Sequence, residues 1–557
     1  MVCSSPDPRQ FLDLLSDIPI RSKSTELLSG HCKRRIPVPG EKVSIRFTMM
    51  LAIFAATLLA KSTRATAQSN EFVLHSFPVS TTDGWEPNGN VIFKGATQLY
   101  GTTPFGGING RGTVFELVAK RGVWSETVPH PFDPSSTDGY PNSAGLLLHA
   151  GKLYGTTQGG SSGYGTVFEL TYTAGIGWAK TFEYAFPGFT NDGQGPNSPL
   201  IFANGNLYGT TGAGGSNLNC GTSGENVGCG TVFELTPAVS GGWTESVIYN
   251  FGSGTDGQIP VGVVFHGGNL YGMTQDGGLF GEGMVFELNP KTAMATDLYD
   301  FPYPTTGGTT GAVPNFGLVA DLAGNLYGTT SQGGTHNNGI AFELTYDKAT
   351  KIWTPQDLHD FYYLVDGAHP SALLLDTKSG NLYGTTEEDS PNGTGVAFEL
   401  VPGTPWTENI LYSFCSLSSC TDGSYPSSGL TFDTNYNLYG VTQEGGAYGW
   451  GAVFQIILNG FTLSASPSTL AVAQGGNDMT TISVKDTGSF TGNVTLTASG
   501  LPKGVTASFN SKITSSTSTL TLTASPTAKL ETGATVTITG TSGNLAQTAL
   551  INVSVIP

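Results

Sequence analysis

Carboxylates are the residues most regularly placed to do chemistry in this chain. Glu116, Glu169, Glu234, Glu287, Glu343 and Glu399 each follow a phenylalanine in a recurring stretch, and Gln455 takes the same place in a seventh. A ring of six acids could line a channel and bind a hard cation such as calcium, though no cofactor is expected. Residues identical in every copy more often build a fold than perform a reaction, because a reaction needs asymmetry. Their expected role is therefore to accept hydrogen bonds from neighbouring Thr, Tyr or backbone groups. A second series, Asp83, Asp138, Asp192, Asp256, Asp366 and Asp422, precedes glycine each time. Asp-Gly is a tight-turn dipeptide: glycine takes positive φ and the aspartate bonds the nearby backbone.

Specific chemistry is expected where the copies disagree. Glu387, Glu388 and Asp389 stand where other copies carry Gly-Gly, and they are the candidate metal ligands. Loop aromatics Trp85, Tyr140, Tyr164, Phe280, Tyr448 and Trp450 are the candidate ligand-binding residues, since such rings stack on sugars or anchor a protein partner. Histidines 75, 130, 149, 266, 336, 359 and 369 fall singly, with no metal-ligand spacing and no nucleophile motif nearby. No catalytic residue is assigned. Cys220, Cys229, Cys415 and Cys420 fall into two local pairs, expected to close as disulfides in an oxidising compartment.

The elements that position these residues repeat. A Leu-Tyr-Gly core recurs with its tyrosine at 100, 154, 208, 271, 327, 383 and 439, followed by a Gly-rich turn and a Val-Phe-Glu-Leu-like strand. The longest interval holds an insertion that includes Cys220 and Cys229. Each copy divides into four strand-length pieces; in the fifth these are 297–301, 317–321, 325–330 and 339–344. Four short antiparallel strands per copy make a propeller blade, which needs neighbours to bury its faces. From Phe461 onward aromatics nearly vanish and Ser/Thr alternate with Val, Leu and Ala in period-two runs such as 535–539, the pattern of an immunoglobulin-like sandwich. The expected fold is all-β: a seven-bladed β-propeller over 68–459, then an Ig-like β-sandwich over 460–557.

Residues 1–67 read as an N-terminal extension and signal peptide. An apolar run of 12 residues, 49–60, follows Lys33, Arg34, Arg35, Lys42 and Arg46 and precedes Ala65-Thr66-Ala67, a small-residue cleavage site. The stretch before it is long for such a leader, so the start codon is expected near Met49 and Cys3 and Cys32 fall outside the mature protein. The net charge is −18 and grows more negative beyond residue 67, which repels nucleic acid and anionic membranes. No transmembrane segment is expected in the mature chain.

Asn-Leu-Tyr-Gly-Thr-Thr, then Gly-Gly, then Gly-Thr-Val-Phe-Glu-Leu closely resembles the GloVer tandem repeat, over residues 71–459. That repeat marks a family of secreted bacterial proteins, so the resemblance implies export or a surface location and brings no enzymatic activity. The copies are also similar to kelch blades, through the Gly-Gly pair and a following tryptophan (Trp124, Trp178, Trp243, Trp353, Trp406). The chain ends at Ile556-Pro557 without a hydrophobic tail or basic stop, so no covalent sorting anchor is expected. The expected function is a secreted or cell-surface, monomeric, non-catalytic binding or scaffold protein with a protein or glycan ligand at the propeller face. The alternative is a polysaccharide-active hydrolase or lyase with its site at the propeller mouth.

Overall fold

A computed structural model describes residues 70–557 except 79, 81, 121–122, 134–137, 189–190, 218–219, 221–227, 240, 253, 304–309, 459, 488–491 and 543–544. The expected signal peptide, Cys3 and Cys32 lie outside the described residues. Among those described there is no α-helix and no helix long and apolar enough to cross a membrane.

The repeats form seven antiparallel sheets of four main strands each, the seventh taking one strand from the start of the described chain. In the first they are Ile92–Lys94, Gln98–Thr103, Thr113–Lys120 and Val123–Pro131, and in the second Tyr140–His149, Lys152–Gln158, Thr166–Thr173 and Gly177–Ala185. In the third and sixth sheets the first strand is split in two. The Leu-Tyr-Gly core is the second strand and the Val-Phe-Glu run the third. They pair so that the glycine faces the phenylalanine across the ladder: Gly101 opposite Phe115, Gly209 opposite Phe233, Gly384 opposite Phe398. That pairing explains the glycine. A Cβ on Gly101, Gly209 or Gly384 would lie 2.4–2.5 Å from the tip of the facing ring, and the ring is fully buried.

The fourth strands are Val123–Pro131, Gly177–Ala185, Trp243–Asn250, Met294–Asp300, Ile352–Asp360, Thr407–Ser413 and, for the seventh sheet, Glu71–Ser76. The chain's first described strand thus completes the last sheet, pairing with Ala452–Ile456. A sheet is consequently offset by one strand from the copy read along the sequence. Asp297–Phe301, read as opening the fifth copy, belongs to the outer strand of the fourth sheet and the turn that leaves it.

Each fourth strand is followed directly by a phenylalanine whose N–H donates to the carbonyl of the glycine before the third strand. The distances are 3.0 Å for Phe77 to Gly451 and 3.1 Å for both Phe132 to Gly112 and Phe414 to Gly395. The same ring then packs edge-on against the third-strand phenylalanine of the following sheet. Phe132 meets Phe168, Phe414 meets Phe454, and Phe77, from the seventh sheet, meets Phe115 of the first, with centroids 4.8–5.4 Å apart. The tryptophans repeat the relation, each against a Leu-Tyr-Gly tyrosine of the preceding sheet: Trp178 on Tyr100, Trp243 on Tyr154 and Trp124 on Tyr439. Seven apolar clusters result, each shared by two consecutive sheets, one of them by the seventh and the first. Each buried ring contributes about 1.5–3 kcal/mol.

Residues 460–556 form two further sheets. One orders Gly460–Ser466, Asn477–Thr487, Thr517–Ala524 and Val505–Phe509. The other orders Thr469–Ala473, Leu545–Ile556, Glu531–Ser542, Val494–Ser499 and Ile513–Thr514, with its first pair parallel. Alternate residues of both, including Phe461, Leu470, Ile482, Leu496, Leu520, Ile538 and Val553, share one core.

Candidate functional site

The repeated glutamates are bound mainly within their own sheets. Register places each opposite the Leu-Tyr-Gly tyrosine, whose hydroxyl donates to it: Tyr100 to Glu116 at 2.8 Å, Tyr208 to Glu234 at 2.7 Å, Tyr271 to Glu287 at 2.9 Å, Tyr327 to Glu343 at 2.9 Å and Tyr383 to Glu399 at 2.7 Å. In the seventh sheet the polarity reverses, and Gln455 donates to Tyr439 at 2.6 Å. Glu169 also takes Lys152 at 2.8 Å and Trp243 at 3.1 Å. Burial would raise its pKa, but these donors hold it down at about 2.

A second polar set gathers at the junctions between consecutive sheets. The residue two before the junction phenylalanine is His75, His130, Tyr184, Tyr249, Tyr299, His359 or Tyr412. In six of the seven, all but Tyr299, its polar end meets the Asp-Gly aspartate that follows it. Tyr184 donates to Asp192 at 2.5 Å, Tyr249 to Asp256 at 3.1 Å and Tyr412 to Asp422 at 2.7 Å. His359 Nε2 lies 2.7 Å from Asp366, His130 Nε2 3.4 Å from Asp138 and His75 Nε2 3.7 Å from Asp83. The fourth strand of the next sheet then adds a charge: Glu126 beside His75, Lys180 against Asp138, Glu245 beside Tyr184 and Glu408 beside His359.

These junction acids are substantially buried. Burial, with Asp422 nearby, pushes Glu71 up to about 8. Burial and the neighbouring aspartate push Glu126, Glu245 and Glu408 up to about 7, against the opposing pull of His75, Tyr184 and His359 respectively. Burial disfavours a charged His75, yet Asp83 and Glu126 outweigh it and carry the imidazole up to about 9. Two junctions, His75–Asp83–Glu126 and His359–Asp366–Glu408, bring their ligand-type atoms within 4.8 Å of one another.

The acids singled out in the sequence do not converge in this way among the described residues. Glu387 and Glu388 are neighbours in the strand Leu382–Glu388, so their side chains leave opposite faces, and Asp389 follows outside it with φ 61°. The histidine triads escaped the linear reading because each draws on three elements. One signal was available in the sequence: aligning the copies on the junction phenylalanine puts His75, His130 and His359 in one column with four tyrosines. Cys220 is bonded to Cys229 and Cys415 to Cys420, with Cα atoms 5.1 and 4.0 Å apart.

Among the aromatic candidates, Trp85 and Trp450 come together. Their rings lie 5.0 Å apart across the junction of the seventh and first sheets, and Trp85 stacks on Phe105 at 4.9 Å. Phe105, Trp450 and Tyr448 are exposed. Glu86, whose N–H donates to the Trp450 carbonyl at 2.9 Å, is raised by burial and by Glu444. Tyr140 follows Asp-Gly as Trp85 does, and Arg111 lies 5.9 Å over its ring at the next junction. Tyr164 precedes the third-strand glycine as Trp450 does, and its carbonyl accepts from Gly195 at 2.8 Å at the junction after that. Phe280 stands exposed in the turn between the second and third strands of the fourth sheet.

The model of the Gloeobacter/Verrucomicrobia repeat matches residues 60–222 and 220–354, more than half of the chain. The chain belongs to this repeat family. No curated protein matches it. Solved structures similar to this member of the family include a hypothetical selenium-binding protein from Sulfolobus tokodaii (9% identity, 72% of this chain and 91% of that one, TM-score 0.45). A Trypanosoma rangeli sialidase in complex with sialic acid (11%, 86% and 83%, TM-score 0.32) and a Bombyx mori GH32 beta-fructofuranosidase (11%, 91% and 96%, TM-score 0.27) are also similar.

Proposed function

We propose that this repeat protein is an exported, monomeric, non-catalytic scaffold that binds a glycan chain, built as a closed seven-bladed propeller over 68–459 with an Ig-like sandwich over 460–557. Closure is supported by the seventh-to-first junction sharing the Phe77–Phe115 contact and the Phe77 to Gly451 hydrogen bond with the other six, and the Tyr439–Trp124 contact with four of them. The sandwich is supported by two sheets sharing one apolar core. Export rests on the leader pattern of residues 49–67 and on the family resemblance.

The observation that carries the binding reading is the run of aromatics at three successive junctions: Trp85 with Trp450, then Tyr140, then Tyr164. All four occupy just two positions of the repeat, one at the start of a strand after Asp-Gly and one in the turn before the third strand. Faces of this kind stack on sugar rings, and the carboxylates of Glu86 and Glu444 would accept from their hydroxyls. The same carboxylates favour the second reading, glycoside cleavage at that place, because paired acids are what such hydrolysis uses.

The test is a glycan array with a parallel peptide pull-down, each with and without EDTA, using the exported chain and its Trp85→Ala/Trp450→Ala variant. The scaffold reading expects glycan binding that the variant loses, with no product released. Product release that disappears in Glu444→Gln would replace it with the hydrolase, and peptide binding without glycan binding would overturn the ligand class.

A further inference from the structure

We propose that His75, Asp83 and Glu126 form a binding site for a divalent transition metal of the zinc class, set across the junction between the seventh sheet and the first. The three ligands come from three elements: His75 from the strand Glu71–Ser76, Asp83 from the connection that follows, and Glu126 from the fourth strand of the first sheet. A metal held by all three would tie the chain's first described strand to the sheet after it.

The spacing suits a metal better than a hydrogen bond. Tetrahedral zinc with bonds of about 2.0–2.1 Å sets its ligand atoms about 3.3–3.4 Å apart. His75 Nε2 lies 3.3 Å from Glu126 Oε2 and 3.7 Å from Asp83 Oδ2. At the sister junction His359 and Asp366 are already closed at 2.7 Å, a hydrogen-bonded clasp with no room for an ion between them.

His75 Nε2 and Glu126 Oε1 are both buried and make no well-aligned hydrogen bond, although Nε2 lies in ion-pair range of the Asp83 and Glu126 carboxylates. Such atoms are costly unless something satisfies them. The ligands are also pre-aimed. Gly84 N–H donates to Asp83 Oδ1 at 2.9 Å and the Asp83 N–H donates to Ser80 Oγ at 2.8 Å, which leaves Oδ2 for the site. The His75 ring is set edge-on against Phe77 at 4.7 Å. A cleft of about 350 Å³, lined by Ser80, Thr82, Asp83, Glu126, Thr127 and Val128, reaches two of the three ligands and gives an ion its entry.

The ligand set excludes calcium, which takes six to eight oxygens, and favours a metal that accepts imidazole with carboxylate. Equivalent junctions serve as internal controls. Four carry tyrosine in place of the histidine, and one fills the place of Glu126 with Lys180, a cation supplied by the chain itself.

The experiment titrates zinc chloride into the EDTA-treated, desalted full chain by calorimetry, with thermal melts alongside. The variants are His75→Tyr, which installs the residue native to four equivalent junctions, and His359→Tyr as control. The site predicts one saturable zinc per chain, a melting temperature raised by zinc, binding weakened about tenfold or more by His75→Tyr, and binding unchanged by His359→Tyr. Should His75→Tyr not fold, Glu126→Gln is expected to give the same loss. Absence of saturable binding by the native chain, or equal binding by His75→Tyr or by the folded Glu126→Gln, overturns the proposal. Zinc binding is expected to survive Trp85→Ala/Trp450→Ala, so failure of the glycan reading and failure of the metal site are separable.

Discussion

The interior of each sheet and the junctions between sheets handle polar groups in opposite ways. Inside the sheets, glutamate, tyrosine, glycine and phenylalanine repeat almost without change. The glutamate there meets a tyrosine hydroxyl straight across the ladder. At the junctions one column holds histidine or tyrosine, and its charged partner is Glu126, Lys180, Glu245 or Glu408. Burial and neighbouring acids push Glu71, Glu126, Glu245 and Glu408 toward neutrality there. Uniform contacts specify the architecture, and the positions free to vary are where ion chemistry accumulates.

The largest effect should come from breaking the uniform part. Phe233→Ala removes a fully buried ring on which Phe186 packs at 5.3 Å. It should cost about 3–5 kcal/mol in a denaturant melt. A loss below 1 kcal/mol would mean that the repeated phenylalanines do not hold the sheets together.

Next comes the best-satisfied junction. Asp422, with no exposed surface, accepts from the Tyr412 hydroxyl and from the Ser416 N–H and hydroxyl. Asp422→Ala strands those donors and should cost about 1–3 kcal/mol.

The junctions also set the response to pH. Folded-state values for Glu71, Glu245 and Glu408 lie above the usual 4.5, so their contribution is fully present below about 4.5 and is lost as pH rises through 7–8. His75 acts in the same direction, its share present below about 6.5 and lost toward 9. Melting temperatures of metal-free protein should therefore fall from pH 5 to pH 9, and Glu71→Gln should flatten that slope. A rise across the range would contradict the junction electrostatics.

The smallest effect is expected at Glu388. It is half-buried near the end of its strand, and Glu388→Gln should change stability by less than about 0.5 kcal/mol with no effect on metal binding.

Much of the interior was legible in the sequence, because its partners sit 16 residues apart and recur in register, as Tyr100 with Glu116 and Tyr383 with Glu399 do. The all-β class, the strand pieces and the two cysteine pairings follow from such short-range patterns. Less legible was anything that joins distant segments. Nothing local pairs Phe72 with Gln455, so the offset between copy and sheet could not be read from the spacing. His75, Asp83 and Glu126 meet only because one sheet's outer strand lies beside the next. The acidic run 387–389 looked like a site because its residues are adjacent in sequence, yet a strand sends neighbouring side chains to opposite faces.

Hydrogen exchange on the strand Glu71–Ser76 tests the central claim of ring closure most directly. If this strand completes the seventh sheet, its ladder amides should exchange as slowly as those of Ala452–Ile456, through global unfolding alone. Rapid exchange of 71–76 beside protected 452–456 would contradict the account.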